Sequence, residues 1–232
     1  MKKIFSERPY FLAISLLVLA AWLISAWHPT ETKNWLIENS IVLILAPFLW
    51  YFLYYIRLSN FSITLLAIFV TLHFIGAHYN YGEVAFGNWL KDLFGASKNI
   101  YDRFVHFSFG LLVVYPIREL LLRVSDIKGF FSYYLPFDVV LSFSALYEIF
   151  EWAAFARVSP EIGLLFIGGN DVMDAPKDMA SAAVGALITL ILLGVIQAKA
   201  TKNFRDTFTR GLVLNRERIL KEDSFLHRFF SK

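Results

Sequence analysis

Apolar residues in this chain run almost unbroken for about twenty positions at a time, in six separate stretches at approximately 10–27, 40–56, 61–79, 101–123, 135–157 and 178–197. A helix rises ~1.5 Å per residue, so a run of that length crosses a hydrocarbon core of ~30 Å. Only 57–60 separates the second run from the third, which predicts an antiparallel helical hairpin. Polar or Gly-containing loops divide the others, and no internal repeat is evident. Pro47, Pro116 and Pro136 fall inside runs, where a membrane helix can re-satisfy the freed carbonyl locally. A basic start followed by apolar 10–27 has the outline of a signal peptide. No small-residue cleavage pattern follows Trp27-His28-Pro29, so this run reads as a retained first span.

Composition supports lipid as the solvent. A chain of 232 residues with 57% hydrophobic and 18% aromatic side chains has more apolar surface than a soluble domain of that size can hide. Cysteine is absent, which removes disulfides, thiolate metal sites and thiol catalysis and leaves oxygen and imidazole chemistry. The expected fold class is therefore all-α, a polytopic membrane helical bundle of about six transmembrane helices.

Loop charge sets the expected orientation. Lys2, Lys3 and Arg8 precede the first run, Arg57 lies between the second and third, Arg123 and Lys128 between the fourth and fifth, and a basic tail follows the sixth. These all share one side. The opposite loops carry fewer cations, several of them beside acidic residues, so the lysine and arginine bias places both termini in the cytoplasm. The domain division that follows is a transmembrane part, 1–198, and a cytoplasmic tail, 199–232. The tail has nine Lys and Arg against four Asp and Glu, a net of +5 in a chain of net +3. Phe204, Phe208, Leu212, Leu220, Phe225 and Phe229 interleave with those cations. This predicts an amphipathic helix on the inner leaflet, with membrane lipids and in particular anionic lipid as its partner. So short a tethered segment is not a nucleic-acid binder.

With that topology, nearly every ionisable residue inside a run falls at the outer end of its helix. His73 and His78 close the third run, Asp102, Arg103 and His106 open the fourth, Glu148 and Glu151 close the fifth, and Asp171, Asp174, Lys177 and Asp178 open the sixth. A charge at membrane depth costs roughly 3 kcal/mol on insertion scales, so a layer of them marks a site. Asp102 with His106, Glu148 with Glu151, and Asp174 with Asp178 are three or four apart and share helix faces. The candidate catalytic residues are His106, Asp102, Glu148, Glu151, Asp174 and Asp178. His73, His78, Arg103, Asp171 and Lys177 form a second rank, for substrate binding. Structural readings stand beside these: a helix-to-helix hydrogen bond for His73, an interfacial position for His78, a macrodipole carboxylate for Asp102, a salt bridge for the glutamates. His73 and His78 are five apart, so one face takes both only if the helix ends near Gly76.

Carboxylates this dense share protons, pair with Arg103 or Lys177, or bind a cation. A divalent cation held by oxygen and imidazole would be Mg, Mn or Zn rather than copper. The segment 168–178 is rich in oxygen ligands but lacks the ligand order and terminal glutamate of an EF-hand. There is no Gly-x-Ser-x-Gly elbow and no His-Glu-x-x-His. Ser181, Ala182, Ala183, Gly185 and Ala186 supply small residues for close helix packing.

Tyr101-Asp102-Arg103-Phe104-Val105-His106-Phe107, Tyr115-Pro116-Ile117-Arg118-Glu119, Tyr147-Glu148-Ile149-Phe150-Glu151-Trp152 and Asp174-Ala175-Pro176-Lys177-Asp178-Met179 resemble the bacterial inner-membrane YjdF family, over roughly 70–190. Their order also resembles the broader VanZ-like group, which includes a protein linked to glycopeptide resistance at the cell envelope. In that likeness Asp102, His106 and Glu148 match the group's Asp/His and Glu elements. Glu151 stands where Gln is frequent and Asp178 where Asn is. The resemblance implies a multi-pass protein of the bacterial inner membrane and supplies no reaction. Three functions fit the layer: a membrane enzyme acting on a lipid or cell-envelope substrate, an ion- or proton-coupled transporter, and a binding or assembly protein whose polar layer is structural.

Overall fold

The computed structural model describes residues 8–125, 127–158 and 173–210, and all regular structure among them is helical. In chain order the helices are α1 (Pro9–Ser25), α2 (Thr32–Ile56), α3 (Asn60–His78), α4 (Ala85–Phe94), α5 (Tyr101–Val124), α6 (Phe131–Val158), α7 (Asp174–Ala200) and α8 (Phe204–Arg210). Each of the six apolar runs corresponds to one of α1, α2, α3, α5, α6 and α7. Of these, α2, α3, α5 and α7 are long and apolar enough to cross a membrane; α1 is apolar and 17 residues long. The 28-residue α6 has the length and carries Asp138, Glu148 and Glu151. The protein is an all-α, polytopic membrane bundle.

Successive long helices alternate in direction. Tyr101 at the start of α5 donates its hydroxyl to Leu72 O near the end of α3 (2.9 Å), whereas Tyr115 near the finish of α5 stacks edge-on against Phe61 at the start of α3. Helices α5 and α7 run parallel: Arg103 meets Asp174, and Arg118 fifteen residues later meets Gln197. Their backbones touch. A Cβ on Gly110 would overlap the Ala182 carbonyl, and one on Gly185 the Phe107 carbonyl. Thr189 Oγ1 donates to Leu111 O at 2.6 Å across this seam. Lipid gives helices no hydrophobic reason to associate, so such close packing and interhelical hydrogen bonds hold them. Val114, Val140, Ala182, Ala186 and Leu190 form a buried apolar core along the seam.

The two ends of the bundle differ chemically. At one end Arg8 caps α2 through the carbonyls of Leu53 (2.8 Å) and Tyr54 (2.6 Å). Glu119 accepts from Ser59 N (2.8 Å), from Ser59 Oγ (2.7 Å) and from Ser62 Oγ, closing the N-terminus of α3, and binds Arg123. Carboxylates suit that position because it presents unsatisfied N–H groups. Arg118 donates to Ser132 O (3.0 Å) and Gln197 Oε1 (3.3 Å) and lies over the Tyr133 ring, joining α5, α6 and α7. The other end carries the carboxylates and histidines.

Three features depart from the run pattern. The second helix begins at Thr32, before the apolar stretch at 40, so Asn34, Glu38 and Asn39 enter the bundle fully buried. Within the loop before 101 stands α4, an extra helix. In the tail, α8 turns Phe208 onto Phe130 and Tyr133, so this residue packs on protein. Residues 211–232, the rest of the proposed amphipathic tail, lie outside the described residues.

The helix directions put Arg57, Arg123, Lys128 and Lys202 at one end and 26–31 and 79–100 at the other. Single-cysteine labelling, which the cysteine-free chain permits, is expected to find Lys33 and Asn88 accessible from outside and Asn60, Lys128 and Lys202 only from inside. Labelling of Lys33 and Lys202 from the same side would break the six-span topology.

Candidate functional site

The α5–α7 seam fixes the height of the first turns of both helices, and charged residues meet there. Arg103 Nη2 lies 3.1 Å from Asp174 Oδ1 and its Nε 3.4 Å from Asp178 Oδ1, while Lys98 Nζ reaches Asp174 Oδ1 at 2.6 Å. Asp178 is 2% exposed. Its Oδ1 and Arg103 Nε are within ion-pair distance yet lack hydrogen-bond alignment, so each keeps unused bonding capacity. Asp102, one turn before His106, brings a third carboxylate. Oxygens of Asp102, Asp174 and Asp178 lie within 4.8 Å of one another, close enough to hold one divalent cation.

His106 sits one turn deeper and is 6% exposed. Its Nε2 is 3.2 Å from Glu148 Oε1 and 3.8 Å from Asp102 Oδ1, and its Nδ1 is 3.4 Å from Ser144 Oγ. Ser144 and Glu148 are four apart on α6, so one helix face meets both ring nitrogens, Ser144 by a hydrogen bond and Glu148 at ion-pair distance without hydrogen-bond alignment. Such an arrangement can take up a proton at one nitrogen while the other is held, which is the geometry of an acid–base group. Glu151 lies on the same side of α6, within electrostatic reach of Asp102, Glu148 and Asp178.

Behind His106 stands a part of the layer that the apolar runs did not reveal. The Tyr147 ring is edge-on to both His106 (5.9 Å) and His73 (6.4 Å), and its hydroxyl donates to Glu38 Oε2 at 2.7 Å. Glu38 is 3% exposed. Asn80 and Tyr81 take left-handed backbone angles, φ 58° and 43°, and turn the chain back on α3. Gly76 leaves room for the returning phenol, because a Cβ there would lie 2.6 Å from the Tyr81 ring. Tyr81 OH then meets His73 Nδ1 at 2.7 Å. Burial holds this phenol well above its usual range, so it keeps its proton in that pair. The signal for Glu38 was present: Asn34 and Glu38 are four apart, a shared helix face just ahead of the run.

The remaining expected residues fall elsewhere. His78 is turned to α1, its Nδ1 2.9 Å from Ser25 O, so with α3 continuing through Gly76 the two histidines part company. Lys177 is exposed one turn past Asp174, and Asp171 lies outside the described residues.

Residues 10–199 match the family described as predicted membrane protein (DUF2238). The chain is 31% identical over 199 residues to the inner membrane protein YjdF of Escherichia coli (strain K12), covering 85% of this chain and 95% of that one. No solved structure matches. The chain belongs to the DUF2238 family and is a multi-pass protein of the bacterial inner membrane.

Breaking a buried ion pair on one side leaves an uncompensated charge and costs about 3 kcal/mol. Arg103→Met is expected to lower thermal stability in detergent by roughly that amount, and adding Asp178→Asn to recover part of it. An Arg103→Met protein as stable as the wild type would mean that the carboxylates are compensated by something other than Arg103.

Proposed function

We propose that this member of the DUF2238 family is a membrane enzyme acting on a lipid or other cell-envelope substrate, at a site open to the extracytoplasmic side. The observation that carries the reading is the placing of His106, held between Glu148 and Ser144 and one turn below a cluster that mixes cations with carboxylates. In this reading His106 transfers the proton, with Glu148 and Asp102 orienting and compensating the ring. Lys98 and Arg103, both partly exposed and sharing Asp174, are the groups that would meet an anionic headgroup. Asp102, Asp174 and Asp178 are the positions for a divalent cation if the reaction uses one. Bound there, it would polarise a phosphoryl or carbonyl oxygen.

A carrier would need polar groups through both halves of the bundle. Arg118 and Glu119, toward the other end of α5, are engaged in capping and cross-linking helices. From His106 to Arg118 is ~18 Å along the helix. Between them packs the apolar core of Val114, Val140, Ala182 and Ala186, which favours chemistry at one face over passage. A purely structural layer would make His106 a folding residue, a difference that can be measured.

Purified protein reconstituted with a bacterial envelope lipid extract is expected to alter the mass of at least one lipid species, with and without added Mg or Mn as separate arms. His106→Ala should retain its thermal transition and lose the conversion by ~100-fold or more. Unchanged lipids with folded wild-type protein, or a His106→Ala chain that no longer folds, would overturn the assignment.

The tail is proposed to lie on anionic lipid of the inner leaflet. A peptide of residues 199–232 should gain helicity on anionic vesicles and not on neutral ones. Equal helicity on both would contradict an electrostatic contact.

A further inference from the structure

Helix α4 is short, and its sequence is two-faced. Phe86, Trp89, Leu90 and Leu93 recur at the spacing that lines one helix face, while Asn88 and Lys91 occupy the opposite one. Phe86, Trp89 and Leu93 are 43%, 57% and 60% exposed. Yet α4 is firmly attached. Gly87 sits where a Cβ would overlap the Asn99 side chain and approach Tyr101 Cβ at 2.6 Å, and Asn99 Nδ2 donates to Val84 O at 2.9 Å. Phe86 contacts Phe104 edge to face, with ring centroids 5.0 Å apart. The helix is thus rigidly joined to the first turn of α5 with a row of large apolar side chains left uncovered.

We propose that α4 is an interfacial helix, lying in the headgroup region of the membrane face that bears the polar layer, with Phe86, Trp89 and Leu93 inserted toward the acyl chains. The occupant of the uncovered face is lipid because the face adjoins the end of a helix long and apolar enough to span the membrane. Phe86 abuts Phe104 on the spanning helix α5, and α4 lies between the ends of two spanning helices, α3 and α5. A helix with one apolar and one polar face belongs at that boundary, where each face has its solvent. The attachment gives the position a consequence. The helix that rests on lipid is braced, through Gly87 and Tyr101, against the turn that carries Asp102 and Arg103, so the rim of the polar layer is held at headgroup level. The proposal rests on the membrane topology and not on the enzymatic reading, and the two can fail separately.

The absence of native cysteine makes the test direct. Spin labels are placed singly at Asn88, Trp89, Lys91 and Leu93 of the full-length protein in nanodiscs, and their accessibility to oxygen is compared with that to a water-soluble nickel chelate. Labels at Trp89 and Leu93 are expected to favour oxygen, and labels at Asn88 and Lys91 the chelate. Chelate access at all four positions would place α4 in water and overturn the proposal. Protection of Trp89 and Leu93 from both reagents, with short label-to-label distances between copies, would overturn it in favour of a second copy of the chain on that face.

Discussion

The constraint on which this protein depends is the backbone contact between two parallel helices, α5 and α7. Gly110 and Gly185 each lie where any side chain would collide with the opposite backbone. Because the contact is backbone to backbone, it fixes register as well as distance. Arg103 is thereby brought level with Asp174 and Asp178, and Thr189 with Leu111. A shift of one residue would move the guanidinium by ~1.5 Å along the axis. The 3.1 Å and 3.4 Å approaches would not survive it. Small residues that appear merely permissive in sequence are what hold the charges together.

The polar layer is two connected parts with different chemistry. Toward the surface, Lys98 and Arg103 offset Asp174 and Asp178, and the two cations retain partial exposure. Deeper in, His106, Ser144, Glu148, Tyr147, Glu38 and His73 form a network that contains no lysine or arginine among the described residues. A half-satisfied buried network is costly, and this one leaves Glu148 Oε1 and His73 Nε2 without hydrogen bonds. His106, the imidazole placed between Ser144 and Glu148, and not the surface cluster of lysine, arginine and aspartates, is given the proton in the proposed reaction.

What the sequence made legible follows from which signals are local. Run length identified the long helices because lipid imposes it on each helix separately. Spacing within a helix paired Asp102 with His106 and Asp174 with Asp178 for the same reason. The hairpin at 57–60 was equally local. Glu38 was hidden because the turn it occupies, with Asn34 and Asn39, is polar and reads as loop until another helix buries it. His73 and His78 were grouped by nearness in sequence, but their partners, Tyr81 and Ser25, are set by a left-handed reversal and by the end of α1. Helix α4 escaped because ten residues are too few to register against runs of twenty, although its apolar spacing is regular.

The two ends of the bundle show why the same residue types carry different meanings. Glu119 and Arg118 lie inside an apolar run as Glu148 does, and each looks like a functional charge there. At their end, however, the bonds run to helix termini and to neighbouring helices, Ser59 N, Ser132 O and Gln197 Oε1, beside the Glu119–Arg123 pair on α5 itself. The bonds to Ser59 N and Ser132 O satisfy backbone groups that lipid would leave bare, and the others tie helices together. At the other end the carboxylates of Asp102, Glu148 and Asp178 face ionisable side chains, and among the described residues Glu148 and Asp178 retain acceptor atoms that no hydrogen bond uses. A charge in a membrane that closes a helix is architecture. One that faces other ionisable side chains with bonding capacity left over is where chemistry is to be sought, and in this bundle that description selects the end bearing His106.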